Sequence, residues 1–158
     1  MYSSLKKTYS TIDSIKPLEK TYSTIKLEIT TGKKIFSGTD DDIYLILWNT
    51  LPWSPLETLL HSDYKDTFEN GQIDTFIVNP VAPYIFTKNT IKNFVIYKKP
   101  YTLISGISGV NSSTYYSDDW NLSRVRIWLG TDTTYTFAGD YYPNILLDKK
   151  THSWMAPV

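Results

Sequence analysis

The stretch from Tyr22 to Trp48 constrains this chain more than any other. An alternating segment (YSTIKLEIT) runs through a loop (TGKKIFSGTDDD) into a second apolar segment (IYLILW). In the first, Ile25, Leu27 and Ile29 recur every second position with Lys26 and Glu28 between them, so one face of a strand is buried and the other meets water. In the second, Ile43 to Trp48 is apolar on both faces, which predicts a central strand covered on both sides. The loop gathers Asp40, Asp41 and Asp42 beside Gly38 and Thr39. Carboxylates so close repel one another unless water, a partner cation or a metal offsets their charge.

The rest of the chain reads as more short strands. Leu56 onward, Asp74 to Val78, Ile91 to Tyr97 and Leu122 to Leu129 are apolar or alternating runs, and TTYTF, NILLD and HSWM supply short closing strands separated by Gly139 and Pro143. In the Leu122 strand, Val125, Ile127 and Leu129 share one face, while Arg124, Arg126 and Trp128 share a wet one. Thirteen tyrosines and five tryptophans suit pleated sheets better than helical bundles. The expected fold is all-β: an antiparallel β-sandwich of about eight strands in two four-stranded sheets.

A chain of 158 residues, 41% of them hydrophobic, is long enough for one substantial core. Residues 5–12 (LKKTYSTI) nearly recur at 18–25 (LEKTYSTI), and only the second copy continues its alternation. Residues 1–20 are therefore expected to form an N-terminal arm or extra edge strand, and residues 21–158 the sandwich. Pro100 to Asp119, rich in Gly, Ser, Asn and Tyr, has no clear period and reads as a long contact loop.

Several classes are excluded or disfavoured. Sixteen basic and sixteen acidic residues leave no net field for a phosphate polymer, so no nucleic acid partner is expected. There is no cysteine for a disulfide or thiolate site, and no run approaches the ~20 apolar residues that span a bilayer. His61 and His152 lie far apart without metal-binding spacing, and Gly106 to Val110 lacks the closing glycine of a nucleophile elbow. No nucleophile, base or metal centre can be assembled, so the chain is not expected to be an enzyme.

Three segments resemble the PLAT (LH2) domain family. SGTDDDIYLIL is similar to its Gly-Thr-Asp segment, FENGQIDTFIV to its Phe-x-x-Gly-x-x-Asp-x-Phe segment, and DDWNLSRVRI to its late strand. The likeness runs from about Tyr22 to the C-terminus and is nearest to the C-terminal domain of clostridial phospholipases C. It implies a calcium ion between the Gly-Thr-Asp loop and the loop before the late strand, with Gly38, Thr39, Asp40, Asp118 and Asp119 as ligands, Asp66 as an addition, and Asp41 or Asp42 to compensate for the aspartate that Phe36 replaces. Calcium takes six to eight hard oxygens, which such loops supply. The sequence departs at Phe36, where those phospholipases carry an aspartate ligand.

The resemblance also implies a non-catalytic, calcium-dependent module for membrane or lipid headgroups, in a secreted or peripheral membrane setting. Trp53, Tyr101, Leu103, Ile104, Tyr115 and Tyr116 would enter the interface, with Lys98 and Lys99 drawn to anionic headgroups or simply solvated. The alternative is a protein-interaction module whose aromatic surface docks a partner enzyme or receptor. The acidic triplet also suits plain turn capping.

Overall fold

A computed structural model describes residues 20–34, 38–48, 55–60, 66–79, 86–88, 90–99, 101–103, 114–116, 118–131 and 134–157. Residues 1–19 of the arm expected at 1–20 lie outside them, as do Trp53, His61 and Ile104. The strands are β1 (Thr24–Thr31), β2 (Asp42–Leu47), β3 (Leu56–Leu60), β4 (Ile73–Val78), β5 (Phe94–Lys99), β6 (Tyr101–Leu103), β7 (Thr114–Tyr116), β8 (Trp120–Thr131), β9 (Thr134–Tyr141), β10 (Ile145–Leu147) and β11 (Ser153–Met155).

Two antiparallel sheets form the sandwich. One runs β10-β8-β1-β4, with β9 on the same edge of β8 as β10; the other runs β11-β5-β2-β3. A five-stranded and a four-stranded layer thus stand where two four-stranded sheets are expected, because the twelve-residue β8 is long enough to pair two short strands in succession. Ile25, Leu27 and Ile29 of β1 and Ile43, Leu45 and Leu47 of β2 are fully buried and belong to one hydrophobic core. Each such side chain contributes about 1.5–3 kcal/mol relative to exposure.

β8 does not alternate without interruption. Thr30 pairs with Arg124 but Thr31 with Leu122, so Ser123 is an extra residue, a β-bulge. The bulge turns Trp120 and Leu122 inward together with Val125, Ile127 and Leu129, all at most 1% exposed. Trp120 closes one end of the core, its indole N–H donating to the buried Thr31 hydroxyl at 3.0 Å.

Three local expectations change. Ile91 lies in a 3-10 turn (Thr90–Asn93) with its side chain buried, and the strand starts at Phe94 and runs on to Lys99. Gly139 lies inside β9, where Ile127 pairs with Gly139 and Trp128 with Phe137; the chain absorbs Ala138 as a second bulge. Within Pro100 to Asp119, β6 and β7 pair as Tyr101 with Tyr116, Thr102 with Tyr115 and Leu103 with Thr114. Serine- and glycine-rich sequence between them masks the tyrosine alternation at either end.

Candidate functional site

The end of the sandwich where β2 begins and β5 finishes gathers most of the described residues singled out from the sequence. Asp42 pairs with Lys99 there, β6 follows β5 after one residue, and Asp118 leads into β8. The β6–β7 hairpin that carries Tyr101, Leu103, Tyr115 and Tyr116 is therefore rooted between Lys99 and Asp118.

A second turn supports this rim. Phe68, at φ 63°, is buried between Phe76 (5.5 Å, stacked) and Trp120 (5.2 Å, edge-on). Gly71 takes φ 73°, which glycine adopts without steric cost. The fully buried Asp74 ties the turn together: its carboxylate accepts the Phe68 N–H at 2.8 Å and the Gln72 side-chain amide at 2.7 Å. That amide also donates to the Asp66 carbonyl at 3.0 Å. These contacts explain the Phe-x-x-Gly-x-x-Asp-x-Phe spacing physically: aromatic anchor, left-handed glycine, buried cap, second aromatic.

The acidic loop rests on that turn. Thr39 donates its backbone N–H to the Phe68 carbonyl at 3.3 Å, and a Cβ added at Gly38 would stand 3.1 Å from the same oxygen, so this close approach favours glycine. The Thr39 hydroxyl accepts the Asp41 N–H at 3.1 Å. The local turn thereby sends Asp41 inward while Asp40 and Asp42 stay exposed.

Asp41 meets a cation inside the protein. Lys98 Nζ lies 2.7 Å from Asp41 Oδ2, with side-chain exposures of 0% and 2%, and also donates to the backbone carbonyl of Asp118. The expectation that Lys98 is solvated or turned toward headgroups is corrected here. Phe94, Ile96 and Lys98 follow one another on the inner face of β5, so the pleat carries the ammonium into the core rim. That parity was readable in the sequence; the partners, 57 and 20 residues away, were not.

The Asp41 carboxylate and the Asp118 carbonyl, from the two loops expected to share an ion, converge on an ammonium. Asp40, Asp66, Asp118 and Asp119 are exposed, and among the described residues no group of three or more acidic or histidine side chains is arranged to hold a metal. The residues at the Asp41–Asp118 junction do not fit a calcium ion alongside Lys98.

The outer face of the five-stranded sheet is a separate feature. Register places Ile77, Lys26, Trp128 and Phe137 in one row across four strands. Ile77 and Phe137 are 48% and 53% exposed, Lys26 Nζ lies 4.8 Å from the Trp128 ring centroid, and Trp128 meets Phe137 edge-on. The next row carries Glu28, Arg126 and Asp140: Arg126 pairs with Glu28, and Arg124 from the row beyond grips Asp140 through bonds of 2.8 and 2.6 Å. That fork holds the Asp140 carboxyl below its ordinary range and raises the Arg124 guanidinium. Sequence reading identified the wet face but missed this apolar row, which only strand register assembles.

Comparison with known proteins agrees with the architecture. The family model for the PLAT/LH2 domain matches residues 25–138. Among solved structures, the chain is similar to an alpha toxin from Clostridium absonum, with TM-score 0.63 and 18% identity, covering 92% of this chain and 34% of that one. An alpha-toxin from an avian strain of Clostridium perfringens follows at TM-score 0.55 and 20% identity, covering 82% and 32%. A LOX in complex with arachidonate gives TM-score 0.51 and 16% identity, covering 85% and 16%. The chain thus spans about a third of the two toxins and far less of the LOX, and identities this low speak to fold alone. No curated protein sequence matches. The matched span runs from β1 into β9 and takes in the acidic loop, the Phe68–Asp74 turn and the start of β8, and the chain belongs to the PLAT/LH2 domain family.

Proposed function

We propose that this domain is a non-catalytic module that docks on a lipid surface through the rim bearing the β6–β7 hairpin. One observation carries the reading: two paired strands containing three tyrosines and a leucine are rooted between Lys99 and Asp118, at the same end as the exposed Asp40 and Asp119. Tyrosine suits a headgroup layer because an apolar ring and a polar hydroxyl sit on one side chain. Lys99, exposed at the hairpin base, attracts anionic headgroups at close range. Among the described residues no helix is long and apolar enough to cross a membrane, so the contact proposed is peripheral, as in a secreted or membrane-associated protein.

Calcium enters this reading as a variable of the test. The resemblance implies it through the exposed Asp40, Asp118 and Asp119, and binding that is equal in calcium and in chelator is expected if those carboxylates hold no ion. Vesicles of phosphatidylcholine with phosphatidylserine are sedimented with the protein, in calcium and in chelator. Wild-type protein is expected to co-sediment, and Tyr101→Ser with Tyr116→Ser is expected to weaken binding at least tenfold. Unchanged binding by that double variant would remove the hairpin from the mechanism.

A protein-docking reading has its own support in the row Ile77, Trp128 and Phe137, since exposed apolar rows with tryptophan are typical of contact surfaces. Trp128→Ala separates the two: it leaves vesicle binding intact if the rim is the docking surface. Loss of vesicle binding in Trp128→Ala would instead place the lipid contact on the sheet face.

A further inference from the structure

We propose that Lys98 is a built-in cation that closes the rim, so that the junction of the two acidic loops takes no calcium ion. A lysine with 0% side-chain exposure is rare unless paired, because removing an ammonium from water costs several kcal/mol. Here it stands in phase with Phe94 and Ile96, at a position that the pleat reserves for an apolar side chain. What it reaches there are two oxygens from distant segments, the Asp41 carboxylate of the acidic loop and the Asp118 carbonyl before β8. Those are the donor types that a hard divalent cation recruits.

Charge balance favours the ammonium. Lys98 already places a positive charge 2.7 Å from the Asp41 carboxylate, and a calcium ion beside it would add two more positive charges against that ammonium in a nearly dry site. To enter, calcium must expel the ammonium, and the lysine stem would then leave a gap in the packed rim. The bond from Lys98 to Asp118 also ties the end of β5 to the residues that lead into β8, and β6 and β7 lie between these two points in the chain. Rim closure is therefore a product of folding in this protein and not a response to an ion.

Two measurements test this, and neither involves lipid, so failure of vesicle binding leaves them unaffected. Thermal melting in millimolar calcium chloride and in chelator is expected to give the same Tm. A rise in calcium that Asp41→Asn abolishes would overturn the proposal, since an ion bound to the native state raises its stability by mass action. Reductive methylation followed by mass spectrometry is expected to modify Lys99 and spare Lys98 in both conditions. Methylation of Lys98 in calcium but not in chelator would show the ammonium displaced, and would equally overturn it.

Discussion

Removing the Asp74 carboxylate tests how the rim is supported. Asp74 is fully buried and accepts the Phe68 N–H at 2.8 Å and the Gln72 amide at 2.7 Å. In Asp74→Ala the Phe68 N–H loses its acceptor in a buried turn, a loss of about 1–3 kcal/mol. The Gln72 amide is only part-buried and keeps the Asp66 carbonyl, so its loss is smaller, about 0.5–1.5 kcal/mol. The sum, about 1.5–4.5 kcal/mol, lowers Tm by roughly 3–18 °C at the 2–4 °C per kcal/mol that applies to a domain of this size. Asp74→Asn falls between. Its single carbonyl oxygen can keep the Phe68 N–H, but its amide then faces the Gln72 amide, which can flip only by turning its own oxygen toward the Asp66 carbonyl. Calorimetry gives Tm, and urea unfolding gives the free-energy difference. An Asp74→Ala protein within about 0.5 kcal/mol of wild type, the range of neutral surface substitutions, would mean that water replaces the carboxylate and that the cap is not structural.

Lys98→Met is expected to destabilise by about 3–5 kcal/mol, because it strands the buried Asp41 charge, while Lys98→Met with Asp41→Leu is expected to recover most of that loss; urea unfolding of the single and double variants measures the coupling, and equal losses in both would refute the pairing. Asp148 accepts the backbone N–H groups of Thr151 and Lys150, each at 2.7 Å, which holds its carboxyl below the ordinary carboxylate range. A depressed folded pKa gives stability that is complete above the unfolded value of about 3.9 and is lost as pH falls through the folded value. Asp148→Ala should therefore lower Tm at pH 7 and narrow the gap to wild type in strong acid, and a gap of the same size at both pH values would contradict the assignment.

Much of the sandwich is legible in the residues because a strand's pleat is a local property. The spacing of Ile25, Leu27 and Ile29 fixes which face is buried, whatever lies across from it. The same holds for β2, for β4 and for the turn with Gly71, whose left-handed backbone favours that residue. Where reading by period failed, the cause was a bulge, a polar tract or, at Ile91, a 3-10 turn that buries an apolar side chain just before the strand. Ser123 interrupts the alternation of β8, Ala138 lets β9 run on past the glycine that reads as its end, and the ends of the β6–β7 hairpin are obscured by the serine- and glycine-rich residues between them.

The sequence by itself determined the all-β class, the inward faces of the principal strands, the acidic loop and the three motif segments of the family. Only the tertiary structure decided what the acidic loop does. Parity alone assigns Lys98 to the inner face, but no local pattern says that Asp41 and the Asp118 carbonyl will meet it there, since that depends on how β2, β5 and β8 come together at one end of the sandwich. A carboxylate cluster reads alike in sequence whether it will face water, a divalent ion or a buried ammonium. Electrostatic energy depends on distance and burial, and both are set by the packing of segments far apart along the chain.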